Sequence, residues 1–253
     1  MINPMDLTGK RILVTGASSG IGRGTAQVIS NLGGKVVLLA RNEERLRSTY
    51  DTLEGQGHSI HAFDLADVDN IPPLLKKISQ EEGPLSGIFH AAGIISLMAV
   101  TFVKEKYIDE IFASSIKSAI MLTKGFCQKD VKMPGIGSII FMSSVAGICG
   151  VKGLSLYSAS KAAMDGAVRS LAIELAPRGI RVNSVAAAGI ETKMYYKYVE
   201  SLPEEGFALY KQRHLLGFGK VEDVANAVAF LLSDAAKWIT GTTMIVDGGY
   251  SCA

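Results

Sequence analysis

The chain has few cysteines and almost no net charge, and each shortage excludes a class of protein. Its three cysteines, Cys127, Cys149 and Cys252, are an odd number without the CxxC spacing of zinc or redox sites. We therefore expect reduced thiols and a cytoplasmic protein. Lys+Arg 26 against Asp+Glu 24 leaves a formal net charge of +2, which is too balanced for a protein that attracts nucleic acid.

Long hydrophobic runs are also missing, and we expect no secretory signal. No stretch reaches the roughly 18 uninterrupted apolar residues of a membrane span, and residues 1–6 lack the basic-then-apolar order of a secretory signal. The 4 histidines form no ligand cluster, so we expect no metal. What the chain has is apolar bulk, because 48% of its 253 residues are hydrophobic, enough for one domain without a disulfide or a metal.

Short β-branched runs alternate with longer segments of helical period, which indicates βαβ units and a parallel sheet. The predicted strands are residues 11–15, 35–40, 59–63, 87–91, 138–142, 180–185 and 243–246. The predicted helices cover about 20–32, 42–54, 67 onward with Asp67 as its N-cap, 103–126, 154–176 and 221–232. The sequence therefore predicts an α/β fold, a doubly wound (Rossmann) seven-stranded parallel sheet with helices on both faces, in a single domain over residues 1–253.

Residues 189–219 break this alternation. They are rich in aromatic side chains, namely Tyr195, Tyr196, Tyr198, Phe207 and Tyr210. We expect them to form a mobile cover over a pocket. An aromatic lining suits an apolar or ring-shaped substrate without identifying one.

A glycine-rich turn, TGASSGIG over residues 15–22, follows the first predicted strand. Glycines let the backbone turn tightly and approach a pyrophosphate, whose charge is stabilised at the N-terminus of the next helix. The spacing G-xxx-G-x-G is one residue longer than the usual G-x-G-x-x-G fingerprint. The turn alone favours a nucleotide site, with an ordinary tight βα turn as the alternative.

Several ordered motifs resemble the short-chain dehydrogenase/reductase family from residue 10 to about residue 250. The residues that carry the resemblance are Thr15, Gly16, Gly20, Gly22, Asp64, Leu65, Ala91, Ala92, Gly93, Ser144, Tyr157, Lys161, Asn183, Thr192, Asp247, Gly248 and Gly249. Within that family the chain is similar to the 3-oxoacyl-carrier-protein reductase branch. The resemblance implies a nicotinamide cofactor, a small-molecule or carrier-bound carbonyl substrate, and a homotetramer or homodimer.

Tyr157 and Lys161 are four residues apart in a predicted helix, so one face presents both side chains. Taken alone, this spacing is common by chance and is more simply a solvated pair on the helix surface. An ammonium near the phenol stabilises phenolate, which we expect to lower the pKa of the tyrosine and allow proton exchange. Ser144 follows the fifth strand, at the sheet edge where this fold binds ligands, and Ser143 is the alternative. By resemblance, Ser144 bonds the substrate oxygen and Tyr157 exchanges the proton. Lys161 then also holds the nicotinamide ribose.

The end of the second strand determines the choice of cofactor. NAD-specific relatives place a carboxylate there, whereas this chain has Arg41 and Asn42. Because an arginine binds a 2′-phosphate, we predict NADP(H) rather than NAD(H), with pairing of Arg41 to Glu44 as the alternative. By resemblance, Asp64 binds the adenine and Leu65 lines its ring, and a surface charge is the alternative for Asp64. The full predicted cofactor set is Gly16, Ser18, Ser19, Gly20, Ile21, Gly22, Arg41, Asn42, Asp64, Leu65, His90, Ala91, Ala92, Gly93, Tyr157, Lys161, Ile190 and Thr192.

Three places depart from the family pattern. Relatives usually carry Asn at His90 and at Ser115, and Pro-Gly at Ala187-Ala188. A histidine can still hydrogen-bond backbone at position 90, so a structural histidine is the default interpretation there. The Asn aligned with Ser115 positions a water for the lysine's proton relay, so Ser115 joins the predicted catalytic set although a hydroxyl cannot replace an amide group. Two alanines in place of Pro-Gly have neither the fixed φ of proline nor the freedom of glycine to adopt a positive φ.

Two functions are consistent with these residues. The leading hypothesis is an NADP(H)-dependent oxidoreductase that interconverts a carbonyl and a secondary alcohol, with Tyr157 as acid and base. The alternative is a catalytically weakened NADP-binding sensor or assembly subunit of the same fold. Retention of Ser144, Tyr157 and Lys161 favours the enzyme, whereas Ser115 and Ala187-Ala188 favour the alternative.

Overall fold

A computed structural model describes residues 3–135 and 137–253. Its strands are β1 (Arg11–Thr15), β2 (Lys35–Ala40), β3 (Ser59–Ala62), β4 (Gly87–His90), β5 (Gly137–Ser144), β6 (Ile180–Ala187) and β7 (Thr243–Val246). They form one sheet in the order β3-β2-β1-β4-β5-β6-β7, and every neighbouring pair is parallel. The predicted doubly wound, seven-stranded parallel sheet is confirmed.

Helices connect the strands and cover the sheet. They are α1 (Gly20–Asn31), α2 (Glu43–Tyr50), α3 (Ile71–Glu82), α4 (Glu105–Phe112), α5 (Ser118–Phe126), α6 (Ser155–Leu175), α7 (Lys193–Val199), α8 (Glu204–Arg213) and α9 (Val221–Leu232). Within the described ranges, none has the length and apolarity needed to cross a bilayer.

Two helices begin or continue differently from the prediction. The segment 103–126 is not one regular helix, because a π turn (Ala113–Lys117) joins α4 to α5. A short 3-10 turn precedes α3, and the carboxylate of Asp67 accepts from the Asn70 side chain instead of capping a backbone N–H. Prolines in the first turn of α3 suit this start, since the first N–H groups of a helix have no partner within it.

Hydrophobic side chains pack on both faces of the sheet. Successive side chains of a strand point to opposite faces, so Leu13 of β1 joins the cluster that holds α3, α5 and α6. Its neighbours Ile12 and Val14 join the cluster that holds α1 and α9. Val228 of α9 is buried there, so this face of α9 packs in the core.

The strand order reverses between β1 and β4, which opens a crevice at the carboxyl edge of the sheet. β5 and β6 both extend two residues further than predicted at this edge, and Ser144 pairs with Ala187 on their last rung. Residues 189–219, the predicted cover, contain the two helices α7 and α8. Its mobility stays a prediction.

Candidate active site

A cavity of about 1060 Å³ lies at the carboxyl edge of the sheet. It is bounded by the turns after β1 to β6 and by the cover. The predicted site residues that line it are Gly16, Ser18, Ser19, Gly20, Ile21, Gly22, Arg41, Asn42, Asp64, Leu65, Ala91, Ala92, Gly93, Ser144, Tyr157, Lys161, Ile190 and Thr192. One cavity therefore brings together almost all the residues that the sequence singles out.

At Gly16 and Gly22, the glycine-rich turn presents backbone to this cavity with no side chain in the way. Gly16 has φ +65°, and a Cβ added to it would lie 3.0 Å from the backbone nitrogen of Ala92. A Cβ on Gly22 would overlap the carbonyl oxygen of Gly16. Ser19 precedes α1, but its side chain makes no capping hydrogen bond. The cradle and the helix N-terminus fit the pyrophosphate of a dinucleotide.

Three arginines line the cavity: Arg23 of α1, and Arg41 and Arg45 after the end of β2. Arg41 is exposed and, among the described residues, forms no ion pair with Glu44. The Asn42 side chain caps α2 by accepting from the Arg45 N–H at 2.8 Å. Arg45 was not among the predicted residues, although its position four residues after Arg41 is a signal that sequence reasoning can use.

Ser144, Tyr157 and Lys161 meet at the inner end of the cavity. The Lys161 ammonium donates to the Met142 carbonyl at 2.6 Å and lies 5.5 Å from the centroid of the Tyr157 ring. The Ser144 hydroxyl accepts from the Ala146 N–H at 3.2 Å and donates to the Ala187 carbonyl at 3.3 Å. α6 therefore positions the phenol and the ammonium, and the end of β5 positions the hydroxyl.

The protonation states of this group follow from burial. Burial raises the pKa of the Tyr157 phenol above its usual value, and a hydrogen bond with Ser144 lowers it in part. The predicted lowering of the Tyr157 pKa is therefore not found, because burial of the phenol outweighs the hydrogen bond with Ser144. Burial lowers the pKa of Lys161 to about 8, and the carboxylate of Asp165 acts in the opposite direction.

The two serines at the end of β5 differ in environment. Ser143 is 2% exposed, and its hydroxyl donates to the buried carboxylate of Asp165 at 2.9 Å. Ser144 is half-buried and its hydroxyl interacts with Tyr157. The geometry favours Ser144 over Ser143 as the residue that meets a substrate oxygen. Asp165 was missed from the sequence, although it continues the Tyr157–Lys161 spacing by four residues.

His90 and Ser115 lie behind the wall of the cavity and do not line it. His90 is fully buried; its Nδ1 accepts from the Thr15 hydroxyl at 2.8 Å, and its Nε2 donates to the Ser115 carbonyl at 3.2 Å. Burial, together with the charge of Lys161, lowers the pKa of His90 to about 3, so the ring is neutral. His90 therefore supports the wall, in agreement with its interpretation as a structural histidine, and it does not reach the cavity as a direct cofactor contact would require.

Ser115 is buried as well, and its hydroxyl donates to the Ile111 carbonyl at 2.5 Å within its own helix. The π turn widens the helix here, so Ser114, not Ser115, reaches the cavity. The expected catalytic contact of the Ser115 side chain is not present in this arrangement. The third departure is milder, since Ala187 continues β6 and Ala188 lines the cavity.

Aromatic side chains form the outer part of the cavity. Tyr195, Tyr198 and Tyr210 of the cover line it, and so does Tyr250, which the sequence did not single out. The ring of Tyr210 packs 4.6 Å from that of His214, and burial raises the pKa of its phenol. This side of the cavity therefore offers neutral phenols to a substrate. Among the described residues, no group of three or more His, Cys, Asp or Glu is arranged to hold a metal ion.

Comparisons with known proteins identify proteins that are similar to this chain over nearly its whole length. A family model described as enoyl-(acyl carrier protein) reductase matches residues 16–251. The 3-oxoacyl-(acyl-carrier-protein) reductase of Rickettsia prowazekii is 38% identical over 245 residues, which cover 97% of this chain and 98% of that protein. The L-xylulose reductase of Caenorhabditis elegans is 36% identical over 246 residues, 97% of each chain.

The fold is also similar to solved structures. A protein from Beutenbergia cavernae, provisionally assigned as an NAD(P)-dependent gluconate 5-dehydrogenase and solved with NADP at low occupancy, superimposes with a TM-score of 0.90. It is 28% identical, and the match covers 99% of this chain and 100% of that one.

Proposed function

The chain belongs to the short-chain dehydrogenase/reductase family of oxidoreductases, and from that premise we propose that it interconverts a carbonyl and a secondary alcohol with NADP(H). One observation carries the proposal. The glycine-rich turn, the arginines after β2 and the group of Ser144, Tyr157 and Lys161 all line the same cavity. A dinucleotide that binds the turn through its pyrophosphate therefore shares a space with an acid–base group.

The residues present fit NADP(H). The cradle at Gly16 and Gly22 accepts a pyrophosphate, and Arg41 with Arg45 offers two guanidinium groups to a 2′-phosphate. The bound cofactor supplies the hydride in the reducing direction. NADP in the Beutenbergia cavernae structure supports this choice over NAD.

The chain's own residues handle the proton. Because burial raises its pKa, Tyr157 is a protonated phenol at neutral pH, which is the form that donates to a developing alkoxide. Ser144 donates to the same substrate oxygen and polarises the carbonyl. The Lys161 ammonium stabilises the phenolate as it forms and contributes a hydrogen-bond donor for the ribose.

The substrate is a small or carrier-bound carbonyl compound. The relatives named above reduce a carrier-bound 3-oxoacyl group or L-xylulose. The outer cavity carries the neutral phenols of Tyr198, Tyr210 and Tyr250, which suits a substrate with an apolar portion beside its carbonyl.

A second candidate is an NADP-binding sensor or assembly subunit that has lost most of its catalysis. The placement of the Ser115 hydroxyl, which bonds Ile111 and does not line the cavity, favours it. In that case the cofactor contacts remain and proton delivery to a substrate is slow.

Steady-state assays distinguish the two. NADPH and NADH oxidation are followed with a panel that includes a 3-oxoacyl thioester, a ketose, an aryl ketone and an enoyl thioester. We expect turnover of at least one carbonyl compound, higher kcat/KM with NADPH than with NADH, and little reduction of the enoyl double bond. NADPH binding without turnover of any carbonyl compound would instead support the sensor.

A further inference from the structure

Asp165 is a buried carboxylate without a part in the mechanism above. It lies on α6 one turn beyond Lys161 and two turns beyond Tyr157, so the three side chains share one face of the helix. Its exposed fraction is only 7%. Because a carboxylate is costly to bury unless its charge is compensated, its partners identify what it does there.

Serine hydroxyls bind both of its oxygens. Ser143 of β5 donates to Oδ2 at 2.9 Å, and Ser184 of β6 donates to Oδ1 at 2.7 Å. Ser143 directly precedes Ser144 at the end of β5. The carboxylate therefore connects α6, which carries Tyr157, to the strand end that carries Ser144.

Lys161 is buried and, among the residues that the structure describes, has no charged partner in contact. Its Nζ donates to the Met142 carbonyl at 2.6 Å and lies 3.8 Å from the Met164 sulfur, and both groups are neutral. The titratable groups that face it are Tyr157 and Asp165 on its own helix and His90 on β4. The end of β5, which also packs near Lys161, consists of Met142, Ser143 and Ser144 and carries no acidic or basic side chain.

His90 is neutral and Tyr157 is a protonated phenol, for the reasons given above. Asp165 is thus the acidic group, within the described part of the chain, whose charge acts on Lys161. The two charges act through space, since each is hydrogen-bonded to neutral groups. A field of this kind is strong where water is excluded.

We infer that Asp165 is a positioning residue of this active site, whose negative charge keeps Lys161 in its ammonium form and whose bond to Ser143 fixes the strand end that carries Ser144. The inference rests on the proposed function, in which Lys161 must be positive when Tyr157 gives up its proton. Asp165 acts through these neighbours and does not line the cavity.

The effect of Asp165 on Lys161 should be visible in the pH dependence of the reaction rate. Burial lowers the pKa of Lys161 to about 8, and the charge of Asp165 limits that decrease. Without the carboxylate, Lys161 would lose its proton nearer neutral pH. Reduction would then decline on the alkaline side at a lower pH than in the wild type.

Asp165→Asn tests this, since it removes the charge and keeps an amide that bonds both serines. The pH profile of kcat/KM for NADPH-dependent carbonyl reduction is measured on the full-length protein. We expect the alkaline limb of the profile to shift to lower pH by about one unit, which corresponds to a tenfold decrease in the proton affinity of Lys161. Near the acidic end, where Lys161 is protonated in both proteins, kcat/KM should approach the wild-type value.

Glu174→Gln is the matched control, because it removes the same charge from an exposed position on α6. Its alkaline limb should coincide with that of the wild type. A purely structural role for Asp165 would lower kcat/KM equally at every pH, and an unmoved limb in a folded Asp165→Asn protein overturns the inference. Absence of turnover by the wild type would overturn the proposed function instead.

A second measurement applies if circular dichroism shows that Asp165→Asn does not fold. The rate of Lys161 acylation by a lysine-selective reagent is followed against pH in the wild type by peptide mass spectrometry. The inference predicts a Lys161 pKa near 8 or higher. A value below about 7, as in lysines buried without a counter-charge, would contradict it.

Discussion

At the scale of single residues, Tyr157 holds the proton that the proposed reaction delivers. Burial disfavours its phenolate, and the hydrogen bond with Ser144 offsets this only in part. A phenol that stays protonated at neutral pH is prepared to donate to an alkoxide, whereas alcohol oxidation needs the phenolate first. The residue therefore favours carbonyl reduction at neutral pH.

Tyr157→Phe removes this proton donor and keeps the ring. We expect kcat for carbonyl reduction to fall about 100- to 10,000-fold, the usual contribution of a general acid, while the Kd for NADPH stays close to the wild-type value. Steady-state kinetics and fluorescence titration measure the two quantities. Tyr196→Phe is the control, because Tyr196 is 50% exposed and lies outside the cavity lining. Retention of more than about a tenth of kcat would remove Tyr157 from its assigned role.

Arg41 is expected to select NADPH. Replacing Ala40 with Asp and Arg41 with Gln gives the 2′-phosphate a carboxylate in place of a cation, and gives the ribose of NADH an acceptor. The ratio of kcat/KM for NADPH to that for NADH should fall by more than about tenfold, the effect of 1.4 kcal/mol. Lys35→Gln, an exposed change at the other end of β2, should leave the ratio unchanged. A wild type that already prefers NADH would contradict the role of Arg41.

His90 should make the fold sensitive to acid. Its pKa is about 3 in the folded protein against 6.5 for an ordinary histidine, so the unfolded chain binds more protons between these values. The stabilisation from neutral His90 is complete above pH 6.5 and decreases as the pH falls towards 3. His90→Asn, which keeps a polar side chain that does not titrate, should lose less stability over this range.

Urea unfolding at several pH values checks this prediction. The free energy of unfolding of the wild type minus that of His90→Asn should decrease steadily as the pH is lowered, and the other titrating groups cancel in this difference. A difference that does not change with pH would mean that His90 is not held neutral in the folded protein.

At the scale of secondary-structure elements, sequence periodicity predicts the seven strands closely because each is a short apolar run between turn signals. It does not reveal the π turn at 113–117, since the helical pattern is continuous there and the bond from His90 to the Ser115 carbonyl depends on tertiary contact. Asp165 was missed for a similar reason, because a charged helix residue indicates surface until β5 and β6 are packed against it. The family motif, in contrast, predicted Tyr157 and Lys161, and the structure places both side chains in one cavity.

The cover is joined to β6 at Gly189. Its N–H donates to His214 at 3.0 Å, and a Cβ added to it would lie 2.7 Å from the Tyr210 hydroxyl and 3.0 Å from the Phe218 ring. Gly189→Ala should therefore displace the aromatic side chains that line the outer cavity. We expect KM for the carbonyl substrate to rise several-fold, with a smaller change in the Kd for NADPH.

Gly206→Ala is the matched control, because Gly206 lies within α8 and an added Cβ would approach Pro203 no closer than 3.4 Å. It should leave KM unchanged and stabilise the protein by about 0.5–1 kcal/mol, as expected for Ala replacing Gly in a helix. Equal effects of the two substitutions on KM would contradict this account of the cover.

At the scale of the whole molecule, large apolar side chains remain on the surface of a single chain. Trp238 is 96% exposed, Leu216 88% and Ile173 80%. The resemblance implies a homotetramer or homodimer, in which a partner copy can cover exposed side chains of this kind. Light scattering at micromolar concentration should give a multiple of 26.9 kDa. A mass of one chain under these conditions would contradict the expected homo-oligomer.

The transfer of one deuterium tests the proposed reaction most directly. NADPH deuterated at C4, in two preparations that carry the label on opposite faces, is incubated with the protein and a 3-oxoacyl thioester or another accepted carbonyl compound. We predict that one preparation yields a secondary alcohol with a single deuterium on its carbinol carbon, at about 1–1,000 turnovers per second, and that Tyr157→Phe forms this product far more slowly. Saturable NADPH binding with no deuterium in any product would contradict the proposal.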